Sequence, residues 1–193
     1  MNFKFLYHRI KNIILNPVKA WSAIHSEEKP LKYVRGSFFI PLIMLVAVSA
    51  FLGSVLFTHT GFLKIYSVLV GIKYFFLFYI TIYVTAFIFS EVGKGFALKM
   101  NFTVSFKIIA YSLAPFLICQ IISRLIESFI FINVLAFYGL FIYWIGVEKM
   151  VNPPVNKKLP LMIITAGAFL VLLLTTNRLL TMIIDKLYFA YFA

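Results

Sequence analysis

The sequence predicts an all-α, polytopic integral membrane protein: five transmembrane helices in a bundle, preceded by an amphipathic interfacial N-terminal segment. Three observations carry this. Of 193 residues, 63% are hydrophobic and 12% charged, against ~45–50% and ~25% in soluble domains. Five apolar stretches, 37–57, 66–90, 108–123, 128–147 and 159–177, hold one charge between them, Lys73, and every other Lys, Arg, Asp and Glu lies outside them. No stretch shows the strict polar/apolar alternation of a β-barrel, and helices are the other way a backbone satisfies itself in lipid. An ordinary soluble domain, a disordered chain and a disulfide scaffold are excluded. Cys119 is the only cysteine, so no intramolecular disulfide can form.

Residues 3–15 open the chain with a basic amphipathic pattern. At 100° per residue, Phe3, Leu6, Tyr7, Ile10, Ile13 and Ile14 share one face, and Lys4, His8, Arg9, Lys11 and Asn12 the other. Such a helix lies in a membrane interface with its basic groups towards anionic lipid, or packs beneath the bundle by the same apolar face. Asn16-Pro17 reads as an N-cap followed by proline at the first helical position. A short helix through Trp21 and Ile24 follows, ending near Pro30, with Trp21 placed at headgroup level as an interfacial anchor.

The first span carries Pro41 near its start, where a missing donor costs little, and the small residues Ser49, Ala50, Gly53 and Ser54, spaced for close helix approach. Four of the stretches approach the ~20 residues that cross a ~30 Å core. The third is short, and Lys107 at its edge is expected to extend into the headgroups. Pro115 near its middle frees the carbonyl of Tyr111 and predicts a kink. Residues 149–160 read as a proline-punctuated loop, and 178–193 as a continuation of the fifth helix with an aromatic tail.

Basic residues set the orientation. Of 18 Lys and Arg, thirteen fall in 1–35 and in the loops after the second and fourth spans, and four on the other side: Lys64, Arg124, Arg178 and Lys186. The positive-inside rule then puts the N-terminus in the cytoplasm and the C-terminus outside. No cleavable signal peptide is read in the first 35 residues, and residues 1–193 read as one membrane domain. The net charge of +12 is thus assigned to topology and anionic headgroups, not to nucleic acid.

Chemistry is sparse. Glu27, Glu28, Glu91, Glu127, Glu148 and Asp185 all lie outside the spans, so no intramembrane carboxylate pair exists for proton relay. His8, His25 and His59 fit no metal-ligand spacing, and residues 90–95 (SEVGKG) are an incomplete phosphate loop. No cofactor motif is present, and an enzyme is not expected. Lys73 is the exception. It lies nine residues beyond Lys64, roughly 12–14 Å below the outer surface at ~1.5 Å per residue, and an ammonium there needs pairing, hydration or snorkelling. Gln120, Asn133 and Glu127 belong to the same outer half. This candidate cluster reads either as an outward polar cavity for a small anion or headgroup, or as a snorkelling lysine among structural hydrogen bonds.

Ala110-Tyr111-Ser112-Leu113-Ala114-Pro115 resembles the Gly-Tyr-x-x-x-Pro motif of the Yip (Ypt/Rab-interacting protein) domain family, and Asn16-Pro17-Val18-Lys19-Ala20-Trp21-Ser22-Ala23-Ile24 with Glu27-Glu28 is similar to the start of that domain in bacterial members. Alanine replaces the usual glycine at position 110. The Asp-Leu-x-Gly-Pro motif of eukaryotic members has no counterpart before the first span, where the chain reads Lys32-Tyr33-Val34-Arg35-Gly36. The resemblance implies five spans, a bacterial-type member in the inner membrane, no assumed GTPase partner, and packing roles for Tyr111 and Pro115. The expected function is a non-enzymatic membrane scaffold or adaptor acting on lipid or protein partners, including a second copy of itself. The alternative is a small transporter or channel built around Lys73.

Overall fold

Apolar runs of this length leave the backbone no partner but itself, and helices follow throughout. A computed structural model describes residues 3–27, 29–57 and 64–191. Glu28 and His59 lie outside the described residues, as do the side chains of Lys64, Glu127 and Tyr191. The helices are α1 (Phe3–Leu15), α2 (Pro17–Ser26), α3 (Leu31–Val34), α4 (Ile40–Phe57), α5 (Lys64–Gly95), α6 (Phe102–Ser112), α7 (Ala114–Leu125), α8 (Tyr138–Val151) and α9 (Val155–Tyr191). A π turn at Arg35–Phe39 joins α3 to α4, and a 3-10 helix at Glu127–Phe137 leads into α8. The fold is all-α, with no strand among the described residues.

Four helical stretches among those residues are long and apolar enough to cross a membrane: Leu31–Phe57, Ile65–Gly95, Ser128–Val151 and Val155–Ala190. The pair α6 and α7, bent by 45°, makes a fifth if its halves form one span. Leu113, with φ −82° and ψ 1°, is the break, and Pro115 starts the second half where its missing N–H costs least. The side chain of Asn101 caps the first half by accepting from the Val104 amide at 2.8 Å.

Several boundaries move. The first span begins at Leu31, so Pro41 is interior to a 27-residue helix and not near its start. The π turn lies just before this proline, and the Ile40 amide reaches back to the Arg35 carbonyl. A wider turn accommodates the donor that proline lacks. The expected loop at 149–160 shrinks to residues 152–154: Asn152 closes α8 in the left-handed conformation at φ 47°, and Pro160 lies within α9. Its early position limits the loss to one near-terminal carbonyl. Asn16 does precede Pro17, but its side chain makes no capping bond. The backbone spans the junction instead, through Asn16 N–H to Asn12 O at 2.9 Å and Ala20 N–H to Asn16 O at 2.9 Å.

Packing runs α4 on α5 and α7, α5 on α6 and α9, and α8 on α2 and α6. Gly53 is required where α4 crosses the end of α7, because a Cβ there would stand 1.9 Å from the Arg124 carbonyl oxygen. Ser54 and Ser67 hydroxyls bond across α4 and α5 at 2.9 Å. Lys107 is 6% exposed. It does not sit at the helix edge as expected, since α6 starts five residues earlier, at Phe102. At the other extreme α9 is 37 residues long, about 55 Å at ~1.5 Å per residue. That exceeds a ~30 Å core, and residues 178–191 continue it helically as expected.

Candidate functional site

The helix ends at Leu31, Gly95, Phe102, Val151 and Val155 gather at one end of the bundle, here termed the basic end, and α1 and α2 cover it. Helix α1 buries Leu6, Arg9 and Ile13, while Phe3 and Tyr7 stay exposed. The helical wheel put Arg9 on the polar face. The structure turns it inward, where its guanidinium finds partners that a wheel cannot display. It bonds the carboxylate of Glu27, the residue that caps the end of α2, and lies over the rings of Phe5 at 5.1 Å and Tyr111 at 5.7 Å. Lys29 closes on the same carboxylate at 3.2 Å. Burial pushes the Glu27 carboxyl up, but the bonds and charges of Arg9 and then Lys29 outweigh it and hold it below its usual value.

Tyr111 forms the floor beneath this ion pair. It is 1% exposed and sits between Phe38 at 4.5 Å and Trp21 at 6.0 Å, ring centre to ring centre. Trp21 is fully enclosed, which corrects its assignment to the headgroups. Its indole N–H donates to the Ile142 carbonyl at 3.0 Å, so the polar edge that suits an interface is satisfied within the protein. Gly146 makes room for it: a Cβ there would come within 2.6 Å of the indole. One aromatic stack therefore ties α1, α2, the π turn, α6 and α8 together.

Between α1 and α2 opens a polar groove of about 520 Å³ with His8, Arg9, Lys19 and Lys29 in its walls, along with Asn12, Asn16 and Glu27. Positive groups outnumber the one carboxylate, and amide side chains supply further donors. Such a groove can hold an anion presented at a membrane surface. Lys4 and Lys11 on α1 and Lys32 on α3 are exposed.

At the opposite end the expected cluster assembles in part. The Gln120 amide donates to Asn133 Oδ1 at 3.0 Å, and Asn133 in turn donates to the Ile130 carbonyl at 2.8 Å. Arg124 Nε donates to Gln120 Oε1 at 3.3 Å. Lys73 is half-buried and stands beside this chain of bonds, with its ammonium 5.3 Å from the Tyr74 ring centre. The Arg124 guanidinium lies 4.6 Å from the centre of that ring. The Glu127 side chain lies outside the described residues. Arg124 and Tyr74, which organise the cluster, were not singled out from sequence; their spacing from Lys73 and Gln120 on α5 and α7 was the available signal.

Among known proteins, the family model of the Yip1 domain matches residues 11–176. That range includes Trp21, Tyr111, Pro115 and both ends of the bundle. Neither a curated protein nor a solved structure matches the chain.

Proposed function

The chain belongs to the Yip1 domain family, and from that premise we propose that it is a non-enzymatic membrane scaffold or adaptor, acting through lipid or protein contacts at its basic end. The observation supporting this reading is the groove between α1 and α2, whose wall includes the Arg9–Glu27 pair, with the Arg9 guanidinium over the Tyr111 ring. A rigid floor under exposed lysines pre-organises the groove for an anionic headgroup or an acidic partner segment. With thirteen of the basic residues on its side of the bundle, this end belongs in the cytoplasm and the C-terminus outside. The missing Asp-Leu-x-Gly-Pro motif supports a bacterial-type member in an inner membrane.

Native mass spectrometry from nanodiscs of mixed phosphatidylglycerol and phosphatidylcholine tests the lipid contact. Retention of phosphatidylglycerol is expected, with a loss of at least about tenfold when Lys11, Lys19 and Lys29 are all changed to Glu, since each lysine near an anionic surface contributes about 1 kcal/mol. Equal retention of both lipids, unchanged by the substitutions, would remove the reading. Orientation has its own check. An Ala190→Cys variant should react with an impermeant maleimide added from outside, and labelling confined to the cytoplasmic side would overturn it.

A further inference from the structure

At the end of the bundle opposite the basic groove, Lys73 of α5 and Arg124 of α7 converge on the ring of Tyr74. Its centre is 5.3 Å from the Lys73 ammonium and 4.6 Å from the Arg124 guanidinium, so the two positive charges stand within about 10 Å of each other and repel. Neither joins an ion pair among the described residues. Asp185 of α9 is near enough to act on Lys73 electrostatically, yet it pairs with neither cation. Snorkelling alone gives an ammonium no reason to approach a second cation. The pair calls for an anion between them.

Arg124 is exposed but positioned. Its Nε donates to Gln120 Oε1, Gln120 is 8% exposed and donates to Asn133, and Asn133 is anchored on the Ile130 carbonyl. A guanidinium held at Nε keeps its terminal nitrogens for a second partner, in the fork that grips two oxygens of one anion. The backbone beneath is fixed as well, because Gly53 lets α4 lie against the Arg124 carbonyl. Lys73 adds a point charge from the neighbouring helix.

Arg124 stands one residue beyond the apolar stretch 108–123, and the longer reach of Lys73 starts seven residues inside the stretch 66–90. Their meeting point therefore belongs to the edge of the hydrocarbon core, where the polar headgroup layer begins. Beside it, Ile130 and Phe131 of the 3-10 helix are 71% and 66% exposed and offer acyl chains a surface. We propose that Lys73 and Arg124 form an anion site for a phosphate group, gripped by the Arg124 fork and neutralised by the Lys73 ammonium. A phospholipid of the leaflet opposite the basic end and a free phosphate ion both present that group. The site is separate from the groove between α1 and α2 and does not depend on it.

The full chain in dodecyl maltoside, a phosphate-free detergent, with its lysines methylated to carry a carbon-13 label and their charge, gives a readout at the site itself. The Lys73 signal is the one missing from Lys73→Arg. Dioctanoyl-phosphatidylglycerol and inorganic phosphate, titrated separately, distinguish the two sources, and a saturable shift of the Lys73 signal with at least one of them is expected. Affinity should fall about tenfold in Arg124→Gln, the effect of losing a charge-assisted bond. Arg124→Lys, which keeps the charge without the fork, should lose less. Gln120→Ala frees the guanidinium and should weaken binding while leaving both cations in place. The lysine-to-glutamate triple variant at the basic end should bind as the native chain does, even if the groove reading fails. The proposal is overturned if neither probe shifts the Lys73 signal saturably, if Arg124→Gln binds unaltered, or if sodium chloride at matched ionic strength gives the same shift.

Discussion

Arg9 at the basic end is buried and Arg124 at the opposite end is exposed, and the two are held differently. Arg9 reaches a carboxylate and two ring faces, and the Glu27 it bonds is shared with Lys29. Arg124 reaches an amide oxygen at 3.3 Å and shares the ring of Tyr74 with Lys73. A charge answered by a carboxylate locks two helices in register, because removing either partner strands the other. Two cations on one ring are held by the weaker quadrupole and repel each other. The basic end should therefore be the stiffer of the two, and the opposite end should depend more on backbone fit.

The largest effect is expected where that fit is tightest. Gly53→Val puts a branched side chain where even a Cβ would stand 1.9 Å from a backbone oxygen. The cost should be about 3 kcal/mol, near the upper range for overpacking, read as a lowered Tm in micelles. An unchanged Tm would mean that α4 and α7 slide apart freely, and the opposite end would not be a packed junction at all.

Arg9→Met keeps much of the stem but removes the charge above Tyr111. A loss of about 2 kcal/mol is expected, less than for a fully buried pair because Glu27 is 33% exposed and retains Lys29. Hydrogen exchange should show α1 opening before the spans, whereas simultaneous opening would deny it a separate docking step.

The same pair titrates. Glu27 is held below the ordinary carboxylate value by Arg9 and Lys29, so its contribution is complete above that ordinary value and is lost as pH falls through the lowered folded one. Proteolysis of α1 should accelerate with acid in that window. Arg9→Met should flatten most of this dependence, and a full acid response in the variant would assign it to another carboxylate.

Tyr74→Leu tests the opposite end directly. Removing the ring under Lys73 and Arg124 should cost about 1 kcal/mol. A loss as large as that of Arg9→Met would erase the distinction between the ends. Smallest is Ala97→Gly: Ala97 has φ 56°, a left-handed conformation that glycine adopts without Cβ strain. A gain of up to about 0.5 kcal/mol is expected after the entropy of the unfolded glycine is counted, and a loss would show that the Ala97 methyl packs usefully.

Legibility from sequence followed the periodicity. The apolar stretches, the break near Pro115 and the helices at 3–15 and after Pro17 were all readable, because each depends on local composition or on one proline. Helix ends were not: Pro160 looked like loop punctuation but lies inside α9, and Pro41, read near the start of the first span, is interior to a longer helix. Trp21 and Arg9 illustrate the harder case. An amphipathic tryptophan and a basic wheel face suggest the interface equally well whether or not other helices cover them. Their partners at Ile142, Gly146, Tyr111 and Glu27 come from sequence positions far from their own, and no local pattern announces them.

By itself, the sequence determined the solvent this protein needs and the secondary structure it adopts there, because lipid accepts neither stray charge nor an unpaired backbone, and both demands are met residue by residue. Only the tertiary structure decided which charges are enclosed, which glycines permit close crossing, and which rings lie beneath the Arg9–Glu27 pair. Those outcomes depend on helices distant in the chain arriving at one place, and neither composition nor period specifies that.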